Sequence, residues 1–338
     1  TGIEANGNRS ASQLAQAPRI PAGTAYGDRI VGPPLQGSAP PGIGDPPVTA
    51  AATVYLKLQR VARDRKRPAD EIFTLYGLER FLARLAGSPF AEDFCLKGGV
   101  LLSAHALRRP TRDVDMQALD FQLDVDHVTE VVKAVCDVVV DDGLVFDHAS
   151  MQIEQIRDED EYTGLRVSLP AVLGRARITI KLDISTGDPI WPEPEQIELP
   201  SLLGGTVKMK GHPLVTVIAE KTVTMLQRGT TSTRWRDLLD VAILSDRFQF
   251  DAADLREAAE QVAAHRGAEL GPLRDLMDGY GATGQAKWAA WRRKLKVEDL
   301  CDPNLDAQVE RVLTFIEPVF DGSVEHHHRW SPDARSWS

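Results

Sequence analysis

Between residues 69 and 86 apolar side chains recur every three to four positions. Ile72, Phe73, Leu75, Tyr76, Leu78, Phe81 and Leu82 keep a 3.6-residue period, which predicts a helix. Pro68-Ala69-Asp70-Glu71 supplies the proline and acids of a first turn, and Ala86-Gly87 supplies the stop. The residues before it, 52–66, predict a second, basic helix. The middle third changes period. Strands are expected at 94–97, 114–118, 151–157, 163–170 and 176–185; the last reads Ala-Arg-Ile-Thr-Ile-Lys-Leu-Asp-Ile-Ser, a regular alternation. Between them fall a short apolar helix opened by Gly98-Gly99 and a helix over 128–140. From Pro213 onward the spacing is helical again, over 215–227, 233–244, 252–265 and 305–315. The expected fold class is α+β: a small mixed sheet with flanking helices, followed by a helical C-terminal lobe.

This pattern divides the chain. Residues 1–50 are rich in Gly, Pro, Ala and Ser and lack periodicity, as in a flexible arm. Residues 51–205 form a core lobe with its leading helices, 206–320 a helical lobe, and 321–338 an unstructured tail. No internal repeat is present. A length of 338 residues is compatible with two domains. No apolar run of about 18 residues exists, so no membrane span is expected, and no charged-then-apolar leader is visible. The three cysteines, Cys95, Cys136 and Cys301, show neither zinc spacing nor a disulfide framework. They read as reduced thiols in a cytoplasmic protein.

The net charge of −10 argues against coating by nucleic acid. Two local basic segments stand against it: Lys57, Arg60, Arg63, Arg65, Lys66 and Arg67, and Arg292, Arg293, Lys294 and Lys296 beside Trp288 and Trp291. Each is either a nucleic-acid contact or a solvated helix face.

The chemistry is concentrated between residues 97 and 115. Glycines at the start of a helix let backbone N–H groups approach phosphates where the dipole is positive, so Lys97-Gly98-Gly99 reads as a phosphate cradle. Asp113 and Asp115, two apart on a strand, point to one face and suit two hard divalent cations bridging a triphosphate. Asp183 lies within the otherwise apolar run Leu182-Asp183-Ile184, where a charge needs a partner or a metal. It is either a third carboxylate converging on the pair, or half of a salt bridge to Lys181 or Arg177. Thr111 places a hydroxyl beside the pair. Lys221 and Arg228, seven apart, share a helix face, as a triphosphate-neutralising pair would. Asp237 and Asp240 follow on the next helix, available to Lys221, to a base or to a helix cap. His105 reads as structural. The run His326-His327-His328 lies in the expected tail without partner ligands and is not assigned to a metal.

With these motifs in view, the chain resembles the AbiEii nucleotidyltransferase toxins, which include the mycobacterial MenT toxins, over about residues 90–245. The resemblance rests on Lys97-Gly98-Gly99 with Thr111-Arg112-Asp113-Val114-Asp115, then Leu182-Asp183-Ile184, Ala219-Glu220-Lys221 leading to Arg228, and Arg234-Trp235-Arg236-Asp237-Leu238-Leu239-Asp240. The segment Leu199-Pro200-Ser201-Leu202-Leu203-Gly204-Gly205 resembles the family's linker before the third motif. The resemblance implies a nucleotidyltransferase-like core. It implies an NTP donor, Mg²⁺ or Mn²⁺, an RNA acceptor (tRNA at its 3′ end), blocked translation, and a cognate antitoxin such as a winged-helix AbiEi-like protein. Asp237 is implied to be catalytically important. In part of the family a Ser or Thr at position 111 is phosphorylated by the antitoxin, which here would place negative charge beside the aspartates. The expected catalytic set is Asp113, Asp115, Asp183, Lys221 and Asp237, with Asp113, Asp115 and Asp183 as metal ligands. Lys97, Gly98, Gly99, Thr111, Arg112, Lys221, Arg228 and Arg234 are expected on the nucleotide. Two alternatives remain: nucleotide transfer to a protein hydroxyl or a small molecule, and a nucleotide-binding module without turnover.

Overall fold

The computed structural model describes residues 48–105, 111, 113–119, 121–157 and 163–338. The expected arm over 1–50 thus falls almost wholly outside the described residues, as does Arg112. α1 (Val48–Asp64) and α2 (Ala69–Ala86) lead into β1 (Phe94–Lys97), the single turn α3 (Gly98–Leu101) and β2 (Asp113–Ala118). α4 (Val125–Cys136), β3 (Leu144–Phe146), β4 (Gln152–Arg157), β5 (Thr163–Leu173) and β6 (Ala176–Ser185) follow, then a hairpin of β7 (Glu195–Pro200) and β8 (Thr206–Gly211). Beyond it lie α5 (Leu214–Arg228), α6 (Trp235–Ser245), β9 (Phe250–Asp251), α7 (Ala252–His265), α8 (Arg274–Met277), α9 (Tyr280–Leu295), α10 (Leu305–Phe320), β10 (Arg329–Ser331) and β11 (Ser336–Trp337). Residues 45–338 form one compact unit.

The main sheet has eight strands in the order β3-β5-β6-β2-β1-β8-β7, with β4 also on the outer edge of β5. It is mixed. β2–β6 and β1–β8 are parallel, while β1–β2, β5–β6 and β7–β8 are antiparallel. The alternation predicted for β6 is realised: Ile178, Ile180, Leu182 and Ile184 are buried, and their odd-numbered neighbours face the other side. On the buried side α2 lies directly on β6. Gly77 makes that approach, since a Cβ there would stand 2.7 Å from Ile178 Cδ1 and 2.9 Å from Ile180 Cγ2. A buried ion pair, Arg84 Nη1 to Asp142 Oδ2 at 2.8 Å, ties α2 to the segment before β3. No helix among the described residues is long and apolar enough to cross a membrane.

Four expectations are corrected. The helix expected over 128–140 runs earlier, as α4. Asp124 caps it by accepting from the His127 N–H at 2.8 Å, and the apolar Val139, within the expected span, lies beyond its end and is solvent-exposed. The segment 199–205, expected to be a linker, is the turn of a hairpin: Gly204 and Gly205 take positive φ, and the Ser201 N–H donates to the Gly205 carbonyl at 3.0 Å. β8 therefore lies beyond the expected lobe boundary at 205 yet pairs with β1 inside the sheet. Residues 321–338 are ordered. Trp330 is buried and donates from Nε1 to the Ser245 carbonyl at 2.6 Å, while Trp337 donates to the Phe315 carbonyl at 2.9 Å and stacks on that ring. In the same ordered segment the donor atoms of Glu325, His327 and His328 lie within 4.8 Å of one another, on an exposed turn. The α9 helix was not anticipated because its apolar positions are widely spaced, with Tyr280, Gly281, Gly284 and Trp288 carrying the buried side.

Candidate active site

Strand register builds the floor of the site. β1–β2 pairing places Lys97 opposite Asp115, β2–β6 pairing places Asp115 opposite Asp183, and β5–β6 pairing places Asp183 opposite Arg166. Residues opposed in register point to the same face. A charged row, Lys97–Asp115–Asp183–Arg166, thus crosses four strands, with a cation at each end and two carboxylates between. Asp113 is two positions before Asp115 on the same face, opposite Lys181.

Arg166 holds Asp183 from both sides of its fork. Nε donates to Oδ1 at 2.7 Å and Nη2 to Oδ2 at 2.6 Å. The hydrogen bond to Asp183 pushes the Arg166 guanidinium further up, against partial desolvation, with Asp183, Asp113 and Glu154 adding charge attraction. Asp183 therefore does have a salt-bridge partner, but it is neither Lys181 nor Arg177. The partner comes from the strand alongside.

Gly98 follows Lys97 at φ +67°. A Cβ there would stand 1.9 Å from Asp115 Oδ2. The glycine is required by the acid across the sheet as well as by the turn.

The opposite wall is α5 and α6. Lys221 Nζ is 2.5 Å from Asp237 Oδ1 and 2.9 Å from Asp240 Oδ2, with all three side chains largely buried. Of the uses open to these acids, holding Lys221 is the one realised. One helical position earlier, Glu220 Oε1 stands 3.9 Å from Lys97 Nζ and 3.6 Å from His212 Nδ1. His212 is buried, and desolvation pushes its pKa down to about 4 against the opposing pull of the Glu220 carboxylate. Asp188, in the segment after β6, is gripped by Arg266 through Nε–Oδ1 at 2.8 Å and Nη2–Oδ2 at 2.5 Å. Arg266 also donates to Thr224 Oγ1 on α5 at 2.8 Å, so this pair joins the sheet side of the site to α5 and to the end of α7.

These walls enclose a cleft of about 570 Å³. Of the expected site residues, Lys97, Gly98, Asp115, Asp183, Lys221, Arg234 and Asp237 line it. Gly99, Thr111, Asp113 and Arg228 do not; Gly99 and Thr111 are buried beside it in sequence, and Arg228 ends α5. Arg112 lies outside the described residues. The cleft also holds Asp188, Glu220, Arg266 and Trp291, of which the sequence motifs single out only Glu220 and Trp291. Arg166 and Arg266 carried no signal readable from one chain, because both gain meaning from a partner brought by pairing or packing. Cys95 and Cys136 supply no nucleophile: burial pushes both thiols up to about 12.

The donor chemistry of the floor suits a hard divalent cation. Asp115 and Asp183 present carboxylate oxygens from adjacent strands, Asp113 follows on the same face, and no thiol or imidazole intervenes.

No curated protein sequence matches the chain. Among solved structures, similarity is found to MenT4, a nucleotidyltransferase toxin from Mycobacterium tuberculosis H37Rv, at 19% identity over 75% of this chain and 86% of that one, TM-score 0.48. It is also found to a crystal structure described as a putative nucleotidyltransferase from H. pylori, at 19% identity over 81% and 98%, TM-score 0.42. A third is JHP933 from Helicobacter pylori, at 18% identity over 77% and 89%, TM-score 0.41. The family model described as nucleotidyl transferase AbiEii toxin, type IV toxin–antitoxin system, matches residues 80–311, well over half of the chain. The cleft lies within that span, and the protein belongs to the AbiEii family of nucleotidyltransferase toxins.

Proposed function

We propose that this toxin transfers a nucleoside monophosphate from an NTP to an RNA acceptor, the 3′ end of tRNA, and so blocks translation. The observation that carries the reading is that Lys97, Asp115 and Asp183 line one cleft with Lys221, in a register row that Arg166 continues behind Asp183. It supplies cation, paired carboxylates and cation in the order that a triphosphate and its metal require.

Asp113, Asp115 and Asp183 would hold Mg²⁺ or Mn²⁺. Such an ion, when bound, supplies charge neutralisation at the α-phosphate and at the leaving pyrophosphate. The chain's own residues supply the rest. Lys97, the Gly98 and Gly99 backbone, Thr111, Arg112 and Arg228 contribute to binding the nucleotide. Lys221 neutralises the triphosphate, and Asp237 and Asp240 keep its ammonium in place. Arg234 stands at the same wall. Asp183, fixed by Arg166, orients the acceptor hydroxyl as a hydrogen-bond acceptor. The acceptor oxygen forms a bond to the α-phosphorus and gives its proton to the Asp183 carboxylate that orients it; the α–β anhydride bond breaks, and pyrophosphate leaves. A cognate antitoxin, such as a winged-helix AbiEi-like protein, would restrain the activity, and phosphorylation of Thr111 would do so by opposing the triphosphate's charge.

Purified protein incubated with each labelled NTP, Mg²⁺ and total tRNA should label RNA, and Asp115→Ala should abolish it. Label in protein or in a small molecule would redirect the acceptor. NTP binding without pyrophosphate release would leave a module without turnover.

A further inference from the structure

The two basic segments that stood apart in the sequence meet in the fold. Arg67, just beyond α1, pairs with Glu71 at 2.8 Å and extends Nη1 to the Leu295 carbonyl at the end of α9, 3.5 Å away. The C-termini of α1 and α9 are therefore neighbours. Both helices stop in the same way. Lys66 and Lys296 take positive φ, and the next N–H reaches back over the last turn, Arg67 to the Ala62 carbonyl at 2.9 Å and Val297 to the Arg292 carbonyl at 3.1 Å. Around this junction Arg63, Arg65 and Lys66 from one side and Arg293, Lys294 and Lys296 from the other are exposed. Acids stand among them as well: Asp64, Asp70, Glu298 and Asp299, with Glu71 taken up by Arg67. Arg292 does not belong to this surface: it is buried and donates to the Glu298 and Cys301 carbonyls at 2.9 and 3.1 Å.

This surface leads to the cleft. Trp291, four residues and so about 6 Å before Leu295 along α9, lines the cleft wall. Its ring is fixed from behind. Trp288, fully buried and donating to the Asp302 carbonyl at 3.0 Å, stacks on it with centroids 5.1 Å apart and planes 15° apart, and Trp235 meets it edge-on at 6.2 Å. A rigid, half-exposed indole at the end of a cationic track is the arrangement that receives a single nucleic-acid strand: cations follow the phosphates and the ring takes a base.

Resting on the RNA-acceptor reading above, we propose that the joined ends of α1 and α9 guide the single-stranded end of the acceptor RNA into the cleft, and that Trp291 stacks its terminal region. The partner fits by charge, since the chain as a whole is strongly acidic and this junction is locally cationic.

The test uses the full chain and a labelled twelve-nucleotide oligoribonucleotide, with affinity measured by anisotropy across KCl concentrations. Two triple variants are compared, Arg63→Gln/Arg65→Gln/Lys66→Gln and Arg293→Gln/Lys294→Gln/Lys296→Gln, each checked for folding by thermal melting. Each should weaken binding and flatten the slope of log K against log salt by about 2, from roughly 0.7 per phosphate contact on a single strand, with the NTP KM for pyrophosphate release unchanged. Trp291→Leu should weaken binding on the order of 10-fold without changing the salt slope, and Trp291→Phe should restore most of it. Unchanged slopes, or an effect of only one triple, would overturn the joined track. A Trp291→Leu effect confined to the NTP KM would assign the ring to the donor base and overturn the acceptor stacking. Labelling of a protein or small molecule, with no oligoribonucleotide binding by the wild type, would remove the RNA reading itself and this inference with it.

Discussion

Arg166 stands opposite Asp183 in the β5–β6 register and donates to both of its carboxylate oxygens. The guanidinium thus balances a carboxylate whose neighbour on β2, Asp115, is also an acid. Replacing Arg166 by Met takes from Asp183 the guanidinium that bonds both of its oxygens. The expected cost is about 1–3 kcal/mol in EDTA, the usual range for an unsatisfied partly buried group. That is several degrees in melting temperature for a chain of this size. If Asp183 also takes a divalent cation, Mg²⁺ should narrow the gap between variant and wild type. A gap of equal size with EDTA and with Mg²⁺ would exclude Asp183 from cation binding.

Lys221 is expected to matter for folding before it matters for catalysis. Its ammonium lies between Asp237 and Asp240, and Asp240 is almost fully buried. Lys221→Met takes a shared ammonium from two largely buried carboxylates and should destabilise the protein by about 3–5 kcal/mol. Adding Asp237→Asn and Asp240→Asn to that variant should recover much of the loss, while NTP turnover stays absent. Denaturant unfolding of the wild type, Lys221→Met, Asp237→Asn/Asp240→Asn and the combined variant measures the coupling. Purely additive losses would show that the three side chains do not act as one unit.

His212 sets a pH dependence of known sign. Its folded pKa is pushed down to about 4, chiefly by burial, with Glu220 partly opposing. An unfolded histidine titrates near 6.5. Between these values the unfolded chain holds the extra proton, so the contribution to stability is complete above about 6.5 and declines as the pH falls toward 4. At about 1.4 kcal/mol per unit the decline is roughly 3 kcal/mol in all. His212→Gln should be less stable at neutral pH yet lack this part of the slope. Parallel stability–pH curves for the two proteins would refute the assignment.

Much of this was legible from periodicity. β1 and β6 fall where the alternation puts them, and α2 ends where Gly87 stops it. Asp115 stands out by its Asp-x-Asp spacing with Asp113, and Asp183 because a charge in an apolar strand demands a reason. Arg166 did not, because an arginine in a half-exposed strand demands none until register sets it against Asp183. The β7–β8 hairpin escaped for a related cause. Its strands bury only alternate positions at the sheet's edge, and Glu and Lys fill the others, so the segment resembles a solvated connector. The C-terminal segment looked loose because two tryptophans among polar residues carry no period; their anchoring carbonyls belong to Ser245 and Phe315, far away in sequence.

The space that Gly98 leaves empty is the space that the Asp115 carboxylate fills. The two positions are therefore coupled in space: a side chain at 98 would have to displace an acid whose Cβ as well as its carboxylate stands in the way. Removing the acid would clear that space yet leave the positive φ, which still favours glycine. Position 98 thus answers to two separate demands, one from its neighbour and one from its own backbone.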